Sequence, residues 1–190
     1  MSALEIVAFL LGIANVSLVV RRSIWNYPFG LAMVALYARI FLDARLYSDA
    51  ILQVFFVVVQ IYGWWNWSRN RAQAGAITVG RLTRRERAWW AIGCLIASAI
   101  WGYGMNRFTD AAFPWADAAI AITSVAAQIL MSRRAIENWW LWIAVDIGSI
   151  ALYAAKGLWL TMVLYGIFLA LAVWGLIDWQ RVARRQAVAV

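Results

Sequence analysis

One stretch of the chain combines residue types that could bind a small solute with a spacing that brings them together. Asn138, Trp142, Asp146, Ser149 and Tyr153 follow one another at intervals of four, four, three and four residues. At about 100° per residue they fall within roughly 80° of one another on a helix, so they form one polar and aromatic stripe. The residues around them are apolar, which predicts a membrane span. A carboxylate costs about 2.5 to 3.5 kcal/mol at mid-membrane, so Asp146 should face a cavity or a partner and marks a candidate functional site.

The composition of the whole chain predicts an all-α integral membrane protein. Sixty-five per cent of its 190 residues are hydrophobic, and its mean hydropathy is +0.72, whereas only about half of a soluble domain is apolar. The chain has no histidine and a single cysteine, Cys94. Histidine is the commonest metal ligand and general base, and a lone cysteine cannot form an intramolecular disulfide. We therefore expect no metal site, no cofactor and no enzymatic activity, with a membrane enzyme as the weaker alternative.

Seven apolar stretches predict seven transmembrane helices. They run from Leu4 to Val20, Tyr27 to Leu42, Asp49 to Trp67, Trp89 to Gly104, Phe113 to Met131, Trp139 to Tyr153 and Leu158 to Ile177. With these spans, one side of the membrane receives all the basic residues except Arg39, Arg45, Arg107 and Lys156. The positive-inside rule makes that basic side cytoplasmic, with the N-terminus outside and the C-terminus inside. Topology thus explains the net charge of +8, and we expect the lipid bilayer, not nucleic acid, as the partner of these charges.

A shift of 112 residues aligns the chain with itself. Under this shift Arg21 and Arg22 meet Arg133 and Arg134, Asn26 meets Asn138, Gly63 meets Gly175 and Trp67 meets Trp179. The pattern predicts two parallel three-helix repeats joined by the fourth helix, with a solute site near mid-membrane at the repeat interface. The expected parts are a first unit at 1–67, a cytoplasmic loop and linker helix at 68–110, a second unit at 111–180 and a basic cytoplasmic tail at 181–190.

Further polar residues share helix faces in other spans. Gln53 lies on a stripe of the third span with Asp49 and Gln60, and Asp117 and Gln128 share a face of the fifth span with Ser124. Gln128 and Asp146 could instead be interhelical hydrogen-bonding groups, and Asp117 could be solvated at the membrane surface. Most of the tryptophans are expected to be interface anchors.

Several motifs resemble the Pnu family of bacterial vitamin transporters. They are Asn-Trp-x-x-Trp at 138–142, Trp-Asn-Tyr-Pro-Phe-Gly at 25–30, Leu-Tyr-Ser-Asp at 46–49, Leu-Gln-Val-Phe-Phe at 52–56, Ile-Tyr-Gly-Trp-Trp-Asn-Trp at 61–67, Phe-Pro-Trp-Ala-Asp at 113–117 and Lys-Gly-Leu at 156–158. The resemblance covers nearly the whole chain after residue 10. It implies a 3+1+3 arrangement related to the SWEET sugar transporters, and a homotrimer in a bacterial inner membrane. It also implies facilitated diffusion of an unphosphorylated vitamin that a cytoplasmic kinase then traps.

Members of the family carry different vitamins, and the residues favour nicotinamide riboside. Its pyridinium is a fixed cation, which Trp139 or Trp142 could bind by a cation–π interaction worth about 2 kcal/mol when desolvated. Asp146 would add a counter-charge, and Asn138 and Gln128 could bond to carboxamide or ribose groups. Asp117, Gln53 and Tyr153 would line the path.

Other substrates and roles stay open. Thiamine is also an aromatic cation, so the same reasoning serves it, whereas riboflavin is neutral and leaves Asp146 unexplained. Proton coupling through Asp146 or Asp117 is the alternative mechanism. Besides a transporter and a membrane enzyme, the third possible class is a subunit with a purely structural role.

Overall fold

The computed structural model describes residues 3–43, 47–110, 113–155, 157 and 159–188. Seven helices occupy these residues: α1 (Ala3–Val20), α2 (Asn26–Asp43), α3 (Tyr47–Ala74), α4 (Arg84–Phe108), α5 (Pro114–Ser132), α6 (Asn138–Ala155) and α7 (Trp159–Val188). The predicted all-α fold is therefore confirmed, and each apolar stretch overlaps one helix. Arg45, Leu46, Lys156 and Leu158 lie outside the described residues, and the side chain of Asp49 is outside them as well.

Within the described residues, three helical segments are long and apolar enough to cross a membrane by length and composition. They are Arg84–Phe108, Pro114–Ser132 and Thr161–Val188, and Ile6–Val20 is a shorter apolar helix. The hydropathy of α6 is lowered by the same Asn138 and Asp146 that mark it as a candidate site. Seven helices are thus present where seven spans were predicted, while hydropathy by itself singles out three of them.

Two helices continue past the ends of their predicted spans. α3 extends beyond Trp67 to Ala74, and α7 extends beyond Ile177 to Val188. The added turns are rich in Ala, Arg and Gln, which are good helix formers in water. Apolar residues mark only the part of a helix that is buried in the membrane. The backbone hydrogen bonds of the helix continue beyond that part into residues exposed to water. The predicted tail at 181–190 is therefore helical through residue 188.

The chain divides into two compact units. The first comprises Met1–Val79, Ser132–Arg134 and Ile177–Val190, and the second comprises Gly80–Met131 and Ala135–Leu176. In the first unit α2 packs against both α1 and α3. Tyr27, Trp67 and Trp179 are fully buried there, and the rings of Trp67 and Trp179 lie 5.8 Å apart. This aromatic cluster forms the core of the first unit.

Two turns related by the 112-residue shift make matching contacts in the first unit. Arg22 and Arg134 both adopt a left-handed backbone, with φ of 53° and 61°. Arg22 forms an ion pair with Asp178, and Arg134 donates a hydrogen bond to the carbonyl oxygen of Asn66 at 3.0 Å. Asn66 and Asp178 are themselves 112 residues apart. Each turn is therefore tied to the C-terminal half of a long helix, α7 in one case and α3 in the other.

The second unit begins with a well-defined helix start. Thr83 and Glu86 form a capping box at the N-terminus of α4, in which each side chain bonds to the backbone of the other residue. Glu137, just before α6, accepts a hydrogen bond from the Leu82 backbone at 3.1 Å and pairs with Arg87 at 2.8 Å. The segment before α4 is therefore held against the start of α6, the helix that carries the stripe.

Candidate functional site

The stripe on α6 is largely buried within the second unit. Asn138, Asp146 and Ser149 are at most 3% exposed, and Trp142 and Tyr153 are partly exposed. Asn138 is the first residue of α6, and its side-chain amide donates to the carbonyl of Ala135 at 2.6 Å. The nitrogen of this amide is thus used in the turn, whereas its oxygen is buried and has no hydrogen-bond partner among the described residues. That oxygen is the group that remains able to accept a bond from a solute.

Helix α7 adds a tyrosine to the stripe. The rings of Tyr165 and Tyr153 stack with centroids 5.3 Å apart and planes 23° from parallel, and Phe168 contacts Tyr165 edge-on at 6.0 Å. The buried side chains of Asp146 and Ser149 lie on the same face of α6, seven and four residues before Tyr153. Asp146, Ser149, Tyr153 and Tyr165 therefore form one cluster, which we call the α6/α7 cluster.

Sequence reasoning missed Tyr165. Span seven carries no charged or amide side chain in its apolar part, so its pattern gave no polar stripe. The internal repeat does point to Tyr165, because position 165 corresponds to Gln53 of the first copy, and Gln53 is among the predicted site residues. The signal was indirect, since a tyrosine in a membrane span is more often an interface residue.

The two tryptophans of the Asn-Trp-x-x-Trp motif have different surroundings. Trp139 is 1% exposed, and a Cβ atom at Gly175 of α7 would come within 2.5 Å of its ring. Trp139 is therefore packed closely against the backbone of α7. Trp142, one turn later, is only partly buried. Of the two rings, that of Trp142 is the more exposed.

Asp146 is the most unusual group of the cluster. It is 3% exposed, and the described part of the chain contains no ion pair to it. A buried carboxylate without a cation is costly, and a bound cation would remove much of that cost. The described residues contain no group of His, Cys, Asp or Glu side chains able to hold a metal ion. A solute that brings its own positive charge is one partner that would lower this cost.

The other predicted site residues are distributed over both units. Gln128 on α5 is 7% exposed, and Asp117 is in the first turn of α5 and partly exposed. Both belong to the second unit. Gln53, on α3, is 9% exposed and belongs to the first unit. Of the stripe residues, Tyr153 contacts α7 through the ring of Tyr165, and Asp146 and Ser149 share its face of α6.

The equivalent positions of the first unit are packed differently. Tyr27 corresponds to Trp139, and a Cβ atom at Gly63 would lie 2.7 Å from its hydroxyl, so this close helix contact is common to both units. Gly30 corresponds to Trp142, and the space beside it is filled by the side chain of Gln60. The position equivalent to Asp146 is a buried valine. The first unit therefore lacks the tryptophan and the carboxylate of the stripe, whereas Asn26 matches Asn138 and likewise has a buried side-chain oxygen with no hydrogen-bond partner among the described residues.

The sequence matches a family of membrane transporters over nearly its whole length. A family model described as nicotinamide mononucleotide transporter matches residues 2–181. The nicotinamide riboside transporter PnuC of Escherichia coli is 28% identical, with 98% of this chain and 88% of that protein aligned. The riboflavin/roseoflavin transporter RibM of Streptomyces davaonensis is 29% identical, with 96% and 87% aligned.

A solved structure agrees with these sequence matches. A crystal structure of the vitamin B3 transporter PnuC superposes with a TM-score of 0.77 at 28% identity, covering 96% of this chain and 82% of the other. The apolar helices described above fit the same class of multi-pass membrane protein. The chain therefore belongs to the nicotinamide mononucleotide transporter family, and it is a vitamin transporter of the PnuC type.

Proposed function

We propose that this protein takes up nicotinamide riboside by facilitated diffusion across the bacterial inner membrane. The observation that carries the proposal is a buried carboxylate, Asp146, one helical turn from the partly exposed ring of Trp142. A pyridinium ring is an aromatic fixed cation, so one solute could use both groups. A transporter with low affinity for the phosphorylated vitamin would not carry it back out, so a cytoplasmic kinase could trap the vitamin after entry.

The remaining stripe residues would recognise the polar parts of the solute. The buried oxygen of Asn138 would accept a hydrogen bond from a carboxamide or hydroxyl group, and Gln128 could both donate and accept. Trp139 would form a wall of the site rather than a stacking face, because Gly175 lies against its ring. Tyr153, Asp117 and Gln53 would line the path of the solute.

Riboflavin is the alternative substrate. RibM is 29% identical to this chain and the nicotinamide riboside transporter of Escherichia coli is 28% identical, so percentage identity does not choose between the two vitamins. Asp146 favours the cation, because a neutral isoalloxazine would leave the buried carboxylate unpaired. Thiamine is a second cationic alternative, and a binding experiment must include it.

The architecture we propose is 3+1+3, with a first three-helix repeat at 1–67, a loop and linker helix at 68–110, a second three-helix repeat at 111–180 and a basic tail at 181–190. Support comes from the matching pairs Tyr27 with Gly63 and Trp139 with Gly175, which make the same contact 112 residues apart. The positive-inside rule favours an external N-terminus and a cytoplasmic C-terminus. Family resemblance favours a homotrimer, and transport would follow rocking of the two repeats about a central site.

The test is binding calorimetry on the detergent-purified protein with nicotinamide riboside, thiamine and riboflavin. We expect saturable binding of nicotinamide riboside only. Trp142→Ala should weaken it roughly 30-fold, the equivalent of the about 2 kcal/mol of a desolvated cation–π contact. Trp140→Ala is the matched control, because Trp140 is the same residue type on the same helix and is 57% exposed. Equal losses in both variants, or binding of thiamine or riboflavin alone, would overturn the proposal.

Asp146→Asn separates a counter-charge from a proton carrier. As a counter-charge, Asp146 contributes to binding, so the variant should bind nicotinamide riboside more weakly, while transport in proteoliposomes stays independent of a pH gradient. As a proton carrier, the carboxyl group would make wild-type uptake respond to the gradient, and the variant would lose that response. A gradient response in the wild-type protein would therefore refute simple facilitated diffusion.

A further inference from the structure

Helices α4 and α5 form an open apolar groove that the proposed transport site does not use. Its volume is about 320 Å³, near the lower end of the about 300 to 1,000 Å³ typical of small-molecule pockets. On α4 it is lined by Trp89, Trp90, Gly93, Cys94 and Ala97, and apolar residues of α5 between Ile122 and Ile129 form the other wall. With this lining, the groove suits a hydrocarbon chain better than a polar solute.

Basic residues continue the groove at the N-terminal end of α4. Positions 85, 89 and 93 follow at intervals of four, so Arg85 lies on the same helix face as Trp89 and Gly93, one turn further out. Arg85 is exposed, as are Arg81 and Arg84. The apolar wall therefore ends at a cluster of positive charge.

The acidic residues nearby are already engaged. Glu86 accepts hydrogen bonds from Thr83 in the capping box, and Glu137 is paired with Arg87. Among the described residues, no salt bridge neutralises Arg85. An anion with an apolar tail would match both parts of this surface, since the anion would meet the arginine and the tail would lie along the groove.

We propose that this groove binds one anionic phospholipid, with an acyl chain against Trp89, Gly93 and Cys94 and the headgroup phosphate at Arg85. Basic pockets between membrane helices are known to suit such headgroups, and tryptophan favours the level between headgroup and hydrocarbon. A second copy of this chain is the alternative occupant, and the number of associated chains measured in the test below distinguishes it from a lipid. The lipid would hold α4 against α5.

The test is native mass spectrometry of the detergent-purified full chain titrated with phosphatidylglycerol or with phosphatidylcholine. Gly93→Leu should fill the groove without a clash, because a Cβ atom there meets no other atom within 4 Å. Gly104→Leu is its matched control, since Gly104 is equally open, lies on the same helix and is outside the groove. Arg85→Gln removes the headgroup contact, and Arg84→Gln removes the same charge about 100° around the helix.

We expect phosphatidylglycerol to be retained in preference to phosphatidylcholine. Gly93→Leu should abolish the retained lipid, and Arg85→Gln should weaken phosphatidylglycerol binding about fivefold, while Gly104→Leu and Arg84→Gln should behave as the wild type. Equal retention of the two lipids would overturn the proposal. Equal effects of a variant and its control would also overturn it. The same holds if Gly93→Leu changed the number of associated protein chains and left the number of bound lipids unchanged.

Discussion

Replacing Gly175 by alanine should destabilise the second unit, because the added methyl group has no space. The new Cβ atom would lie 2.5 to 2.6 Å from three ring atoms of Trp139. Trp139 is 1% exposed, so its ring cannot swing outward without displacing its neighbours. Overpacking of this kind costs roughly 1 to 3 kcal/mol. Alanine in place of glycine in a helix returns about 1 kcal/mol, so the net loss should be about 0 to 2 kcal/mol.

The assay is the apparent melting temperature of the detergent-purified protein, followed by loss of the monodisperse gel-filtration peak. A loss of 1 kcal/mol corresponds to about 2 to 4 °C in a protein of this size. Gly166→Ala is the control on the same helix, because a Cβ atom at Gly166 meets nothing within 4 Å, and it should melt at or above the wild-type temperature. Trp139→Phe should reduce the cost of Gly175→Ala, since the smaller ring frees the space. If Gly175→Ala melted with or above Gly166→Ala, the close contact would be refuted.

Three smaller effects should follow from contacts outside the stripe. Thr83→Ala removes the oxygen that accepts a bond from the Glu86 backbone at 3.2 Å and should loosen the first turn of α4 by about 1 kcal/mol; unchanged hydrogen exchange over residues 84–88 would contradict this. Arg22→Ala and Asp178→Ala should each lower the free energy of unfolding by about 1 kcal/mol or less. The double variant should lose no more than the larger of the two single losses, because both substitutions break the same ion pair. Additive losses of unfolding free energy would refute the pairing. Glu137→Gln should lower the free energy of unfolding by less than about 1 kcal/mol, because it removes the ion pair with the half-exposed Arg87. High salt screens such a pair, so the variant and the wild type should then be equally stable.

The helices were predictable because burial in a membrane imposes a simple rule on the sequence. Backbone groups must be bonded within the segment, so each long apolar run forms a helix. The same rule could not place helix ends in water. The extension of α3 to Ala74 depends on helix propensity and on contacts such as the hydrogen bonds of Asn70 with Thr78, which hydropathy does not record.

The stripe on α6 was predictable, but the residues of other helices that contact it were not. Spacing alone put Asn138, Trp142 and Asp146 on one face, because a helix repeats every 3.6 residues. Spacing does not say which neighbouring helix covers that face. Tyr165 enters the cluster only because α7 folds back beside α6, and this contact depends on tertiary packing.

The sequence by itself determined the class of protein, the seven helices, the stripe on α6 and, through its motifs, the family. These follow from local composition and periodicity, which each segment carries without reference to the others. Only the tertiary structure decided that Trp139 is packed against Gly175, that Trp142 is only partly buried, and that Asp146 is buried on the helix face where Tyr153 stacks on Tyr165. Those properties depend on the distance between residues of different helices, and side-chain packing sets that distance.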